Sequence, residues 1–142
     1  PREGTARWSV LTEQALAGGP VVVYDDGSQE RCFAHVREVV QCVSALMETP
    51  AAAGEIFNIG SDQPISVLQL AEEVVRRANP RASVTHIPYS QAYGSDFEDV
   101  QRRVPDVTKL RRVIQQAPQT KLVDILDELI AWKRDPSATV ST

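Results

Sequence analysis

The sequence predicts an α/β fold, a small mixed or partly parallel sheet carrying about five helices. Three observations predict it. Apolar residues recur at helical spacing in several stretches, short β-branched runs separate those stretches, and Gly, Pro and Asp stand at the joins. The 142 residues fit one compact domain, in which roughly 68–70% of the unfolded chain's surface can be buried. A core of that size needs neither a disulfide nor a metal.

Trp8 to Ala17 reads as a short helix stopped by Gly18-Gly19-Pro20. Val21-Val22-Val23-Tyr24 is a β-branched strand, and Asp25-Asp26-Gly27-Ser28 turns the chain. Arg31 to His35 is a short extended piece. Val36, Val39, Val40, Val43, Leu46 and Met47 then share one helical repeat, which predicts a helix over Val36 to Glu48. Thr49-Pro50 breaks it. Glu55 to Gly60 is expected to be a short buried strand with Ile56 and Phe57 in the core. Ser66 and Gln69 have the spacing of a capping box, ahead of a stripe of Leu70, Ala71, Val74, Val75 and Ala78. Val84 to Ile87 is a strand. Ser90 to about Val104 is a polar loop, with Tyr89 to Tyr93 packing on the sheet. Asp106 is expected to cap one helix and Thr120 the last, which turns Leu126 and Trp132 inward. Residues 1–134 make up the folded domain, and residues 135–142 are expected to be a disordered tail.

Composition excludes several functions. The net charge is −4, against a nucleic-acid backbone binder, which wants a basic face. Cys32 and Cys42 have no CxxC spacing and no nearby ligand histidines, so they predict no zinc site and no disulfide. Free thiols fit a reducing cytoplasm. No apolar run nears the roughly 20 residues that cross a bilayer. No G-x-G-x-x-G turn follows a strand, so the loop that brings backbone amides to a dinucleotide pyrophosphate is missing. There is no Tyr-x-x-x-Lys and no nucleophile elbow. No catalytic or metal-ligating residue is predicted for this chain. His35, at a helix start, is expected to cap or pack. Asn58 is expected to bond local backbone and shape a turn.

Three segments carry a resemblance. Tyr24-Asp25-Asp26-Gly27-Ser28-Gln29-Glu30-Arg31-Cys32-Phe33-Ala34-His35-Val36 resembles the Y-G-D-G-x-Q-x-R-x-F-x-x-V-x-D segment of extended short-chain dehydrogenases/reductases that act on nucleotide sugars. Gly54-Glu55-Ile56-Phe57-Asn58-Ile59-Gly60-Ser61 is similar to that family's G-E-x-F-N-I-G-S. Phe97 to Leu110 resembles F-E-D-x-x-R-R-x-P-D-x-S-K-L. Order and spacing agree for all three, and the likeness extends to about Lys133. It departs at Asp25, where the family has glycine, and at Glu38, where it has aspartate.

The resemblance implies the C-terminal portion of an NAD-dependent nucleotide-sugar epimerase, dehydratase or decarboxylase. Such a portion comprises a substrate-binding domain and the last strands of a Rossmann-type NAD(P)-binding sheet. It also implies a nucleotide-diphosphate sugar (UDP- or dTDP-linked) as ligand, and NAD as cofactor of the parent enzyme, with none expected for this chain alone. The partner implied is an N-terminal Rossmann half, with a homodimer as a further option. The implied substrate-binding set is Arg31, Arg103 or its neighbour Arg102, Tyr24, Val22, Val23 and Gln29. The chemistry agrees. Guanidinium is always ionised and forks onto phosphate oxygens, and two arginines from separated segments can clamp one diphosphate. Tyr24 offers an aromatic edge beside a base, and Val22 and Val23 offer backbone groups. The alternative is a non-catalytic module of the same family that self-associates or docks a partner through apolar surface. A self-contained hydrolase finds no paired motif.

Overall fold

The computed structural model describes residues 7–93 and 99–137. The chain divides into two units. One comprises residues 1–29, 66–101 and 126–142; the other comprises residues 30–65 and 102–125. No helix among the described residues is long and apolar enough to cross a membrane.

The first unit is built on two strands. β1 (Val21–Tyr24) lies parallel to β4 (Val84–Ile87), in register from Val21 opposite Val84 to Tyr24 opposite Ile87. Along β1, Val21 and Val23 are fully buried while Val22 and Tyr24 are half-buried, the two-residue alternation of a strand with one face on a core. That core is completed by α1 (Arg7–Leu16) and α3 (Val67–Ala78), which bury Leu11, Ala15, Leu70, Ala71 and Val74. α3 begins as its sequence predicts. Ser66 Oγ accepts from Gln69 N at 3.1 Å, and Gln69 Oε1 accepts from Ser66 N at 3.2 Å, a reciprocal capping box.

The second unit holds β2 (Glu30–Cys32), β3 (Pro64–Ser66) and β5 (Arg102–Arg103), in the order β3-β2-β5. α2 (Val36–Glu48) and α5 (Thr108–Ile114) enclose a core of Cys42, Val107, Leu110 and Ala117, with Leu46, Phe57, Ile59 and Ile114 packed on it. α2 has the predicted bounds. His35 caps it, its Nδ1 accepting from Arg37 N at 3.1 Å.

The Glu38 carboxylate, one turn into α2, accepts from Gln119 N at 2.8 Å and Thr120 N at 3.1 Å, tying down the approach to α6 (Leu122–Arg134). Burial pushes the Glu38 carboxyl up. The donors from Gln119 and Thr120 and the nearby His35 outweigh it, and the group titrates below its ordinary 4.5. Its stabilisation is therefore complete above pH 4.5 and lost as pH falls through the lower folded-state value. In Glu38→Gln the thermal midpoint should fall less steeply on acidification below pH 4.5 than in the wild type. Melting curves across that range check it, and equal slopes would contradict it.

Several expectations are corrected. Residues 55–60 form no strand. Phe57 and Ile59 pack inward, but Ile56 is 86% exposed. Trp132 is 45% exposed rather than core, while Leu126 is fully buried. The expected polar loop holds α4 (Tyr89–Tyr93), a single helical turn, and β5. Asp106 precedes the true N-cap, Val107. It still accepts from Thr108 N at 2.9 Å, so it shapes the turn into α5 without occupying the cap position. Thr120 is not the cap of α6: the helix starts at Leu122, and Lys121, whose carbonyl accepts from Ile125 N at 3.2 Å, stands at the cap position, while Thr120 N donates to Glu38. Of the expected tail, Asp135 to Ser137 form a turn in which the Asp135 carboxylate accepts from Ser137; residues 138–142 lie outside the described residues, as do 1–6 and the Phe97-Glu98 start of the third motif.

Candidate functional site

Glu30 stands opposite Arg102 and Arg31 opposite Arg103 in the parallel pairing of β2 with β5. Successive strand residues point to opposite faces, so the Arg-Arg dipeptide is split. On one face Arg102 Nε donates to Glu30 Oε2 at 2.8 Å, an exposed ion pair. On the other, Arg31 and Arg103 lie side by side and line a cavity of about 530 Å³. Arg31 Nη1 donates to Glu30 O at 2.8 Å, which fixes its direction. Among the described residues Arg103 has no ion-pair partner. Like charges directly opposite on adjacent strands repel, and an anion held between them relieves that repulsion.

The cavity walls are supplied by Cys32, Asn58, Ser61, Pro105 and Asp106 among others. Asn58 does not shape a local turn. Its Nδ2 donates to Asp106 O at 3.1 Å and fastens the strap after Arg103 to the residues after Phe57. Gly60 lets that strap lie close, since a Cβ there would stand 3.1 Å from Pro105 Cγ. The hydrogen bonds from Thr108 hold the Asp106 carboxyl below its ordinary range, which keeps it ionised. Burial pushes the Cys32 thiol up, which keeps it protonated and poorly nucleophilic. The cavity offers two cationic forks with a few acceptors. The linings from Asn58, Ser61 and Asp106 escape sequence reasoning, because only the fold brings 58–61 to 103–106.

Tyr24, Val22, Val23 and Gln29 belong to the other unit. Tyr24 stacks on Tyr89, ring centroids 5.3 Å apart. Val22 N donates to Gln14 Oε1 at 3.0 Å and Val23 is buried. Gln29 is also buried. Its Nε2 donates to Tyr89 Oη at 3.2 Å, and that hydroxyl donates to Asp99 Oδ2 at 2.6 Å. Asp25 adopts a positive φ of 50°, the conformation that explains glycine at this point of the resembling motif. Aspartate tolerates it, and its Oδ1 accepts from Tyr89 N at 3.0 Å.

Among the described residues no group of His, Cys, Asp or Glu is placed to hold a metal ion. The turn after β1 does not fit a dinucleotide. It runs into another strand, and the space above Gly27 is filled by Val23 and Leu68, so no helix N-terminus presents amides to a pyrophosphate.

Comparison with known proteins gives a consistent picture. Residues 1–60 match the family model described as the NAD dependent epimerase/dehydratase family. The UDP-N-acetyl-alpha-D-glucosaminuronate decarboxylase of Bacillus cytotoxicus is 36% identical over 121 residues, covering 85% of this chain and 37% of that protein. The structure of UDP-glucose 4-epimerase with UDP-glucose from Thermotoga maritima superposes with a TM-score of 0.81 at 23% identity, over 93% of this chain and 40% of that one. UDP-glucuronic acid 4-epimerase from Bacillus cereus, in complex with UDP-glucuronic acid and NAD, gives 0.77 at 22%, over 94% and 40%. At such identities these two structures share the fold. The chain spans well under half the length of the relatives it matches.

Proposed function

The chain belongs to the NAD-dependent epimerase/dehydratase family, and on that premise we propose that it binds the diphosphate of a nucleotide sugar between Arg31 and Arg103. The supporting observation is the register that sets these two guanidiniums side by side on one wall of the 530 Å³ cavity. That volume lies within the usual range for small-ligand sites. Arg102 is engaged by Glu30 on the opposite face and is assigned no direct contact. Val22, Val23 and Tyr24, expected to flank the base, belong to the other unit, where Val22 N donates to Gln14 and Val23 is buried, and they are assigned no contact with the diphosphate; Gln29 acts by holding Tyr89 rather than by touching ligand.

The chain is assigned binding and orientation of the sugar nucleotide. The redox step belongs to NAD, carried by a dinucleotide-binding portion that these residues do not supply. Titration calorimetry with UDP and dTDP tests the binding role. One-to-one binding that weakens with added salt is expected, and heats of dilution alone for both nucleotides would overturn it.

A second reading, a self-associating or partner-docking module, is favoured by one observation. The outward face of α2 carries four exposed apolar residues.

A further inference from the structure

β5 consists of Arg102 and Arg103, both exposed. Register is strongly specified where one face of a strand is buried and weakly where both faces are polar, so no apolar pattern holds β5 in place. Charge does not hold it either. The ion pair of Arg102 with Glu30 is exposed. A slip that set Gln101 opposite Glu30 would set Arg102 opposite Arg31, leaving one arginine on each face as before. The choice of Arg103 for the cavity needs another cause.

A hydrogen-bond chain supplies one. Tyr89 is 7% exposed and is fixed through its backbone, ring and hydroxyl. Its N–H donates to Asp25 Oδ1 at 3.0 Å, its ring stacks on Tyr24 with centroids 5.3 Å apart, and its hydroxyl accepts from Gln29 Nε2 at 3.2 Å. The hydroxyl proton goes to Asp99 Oδ2 at 2.6 Å. A phenol has one proton to give, so a hydroxyl that donates to a carboxylate only accepts from the glutamine amide. That turns the Gln29 NH2 group towards Tyr89 and leaves Gln29 Oε1, in a side chain 1% exposed, with no hydrogen-bond partner. Buried acceptors are rarely left unpaired. Here the direction of the chain, amide to hydroxyl to carboxylate, accounts for the orphan.

Gln29 and Asp99 each stand just ahead of a strand. Gln29 is followed directly by β2, and its own carbonyl accepts from Val67 N at 3.0 Å. Asp99 comes three residues before Arg102, and Val100 and Gln101 between them are exposed. The Tyr89 hydroxyl thus ties together the approaches to the two strands that carry the arginines.

We infer that Tyr89 is a positioning residue: through Gln29 and Asp99 its hydroxyl sets the register of β5 against β2, and so puts Arg103 rather than Arg102 beside Arg31. A slip of one residue displaces the chain by about 3.3 Å, more than the 2.6 Å bond to Asp99 can absorb. The bond from Asn58 Nδ2 to Asp106 O holds the far end of β5, so the strand is pinned on both sides. The inference rests on the anion site proposed above and names what selects its second arginine.

Tyr89→Phe deletes the hydroxyl and keeps the ring. Asp99→Ala cuts the same bond from its half-buried end, where the fold is not at stake. Cross-strand nuclear Overhauser contacts read the register without ligand. The unaltered chain should show Glu30 against Arg102 and Arg31 against Arg103. Each variant should show a second set, with Arg31 against Arg102. Titration calorimetry with pyrophosphate gives the functional readout. Each variant should bind roughly tenfold more weakly, the loss expected for one hydrogen bond to a charged group. Arg102→Ala should cost about threefold or more in the Tyr89→Phe background, against less than about twofold in the unaltered chain, a coupling that lost stability alone does not produce. A single register in both variants, or Arg102→Ala equally silent in both backgrounds, would overturn the inference. A second register in the variants, with no pyrophosphate bound by the unaltered chain, sinks the anion site and leaves the pin standing. Pyrophosphate bound by the unaltered chain, with one register throughout, sinks the pin alone.

Discussion

Replacing Arg103 with alanine should weaken pyrophosphate and UDP binding by about 10- to 100-fold, while Arg102→Ala should leave it within about twofold. The two residues are neighbours in sequence with the same charge, so net electrostatics predicts equal effects. The strand separates them. Arg103 shares its face with Arg31 and lines the cavity, where a guanidinium–phosphate contact is a charge-assisted fork worth about 1.5–3 kcal/mol. Arg102 is committed to Glu30 in an exposed pair, of a kind worth about 1 kcal/mol or less. Titration calorimetry on the two single variants decides between the strand geometry and a diffuse basic patch. Equal losses would favour the patch.

Gly27→Ala should lower the stability of the chain by about 3 kcal/mol, and its thermal midpoint by about 10 °C. Gly27 has a φ of +70°. A Cβ there would meet Val23 Cγ1 at 2.6 Å, Leu68 Cβ at 2.9 Å and Leu68 N at 3.0 Å. Neither Val23, buried in β1, nor the Leu68 backbone, whose N–H donates to Gly27 O at 3.0 Å, can retreat. Gly54→Ala is the control. Gly54 has a similar φ of +74° but no atom within 4 Å of the built Cβ, so only the backbone term of about 1 kcal/mol is lost. Thermal melts of the two variants separate crowding from backbone strain. A Gly27→Ala midpoint no lower than that of Gly54→Ala would contradict the crowding argument.

What the sequence made legible follows from how local each signal is. α2 and β4 have their predicted bounds, and the capping box of α3 is where Ser66 and Gln69 place it. Each is set by residues within one or two turns. The strand expected over Glu55 to Gly60 is absent because a strand is completed by its neighbour, and its own residues cannot supply one. The same reason hides β5, a two-residue strand visible only through its pairing with β2. Asn58 was legible as a hydrogen-bonding side chain, but its partner, the carbonyl of Asp106, lies 48 residues away. The likeness of the three motifs indicated Arg31 with Arg102 or Arg103 and left the pair unresolved. Register is a tertiary fact, and a shift of one residue in β5 would have exchanged their roles.

The most direct test of the shared anion site is a nuclear magnetic resonance titration that follows the guanidinium Nε–H signals of Arg31, Arg102 and Arg103 as pyrophosphate is added. The account predicts that Arg31 and Arg103 shift together along one isotherm with a single midpoint while Arg102 stays in place. Separate midpoints for Arg31 and Arg103, or a shift confined to one of them, would contradict it.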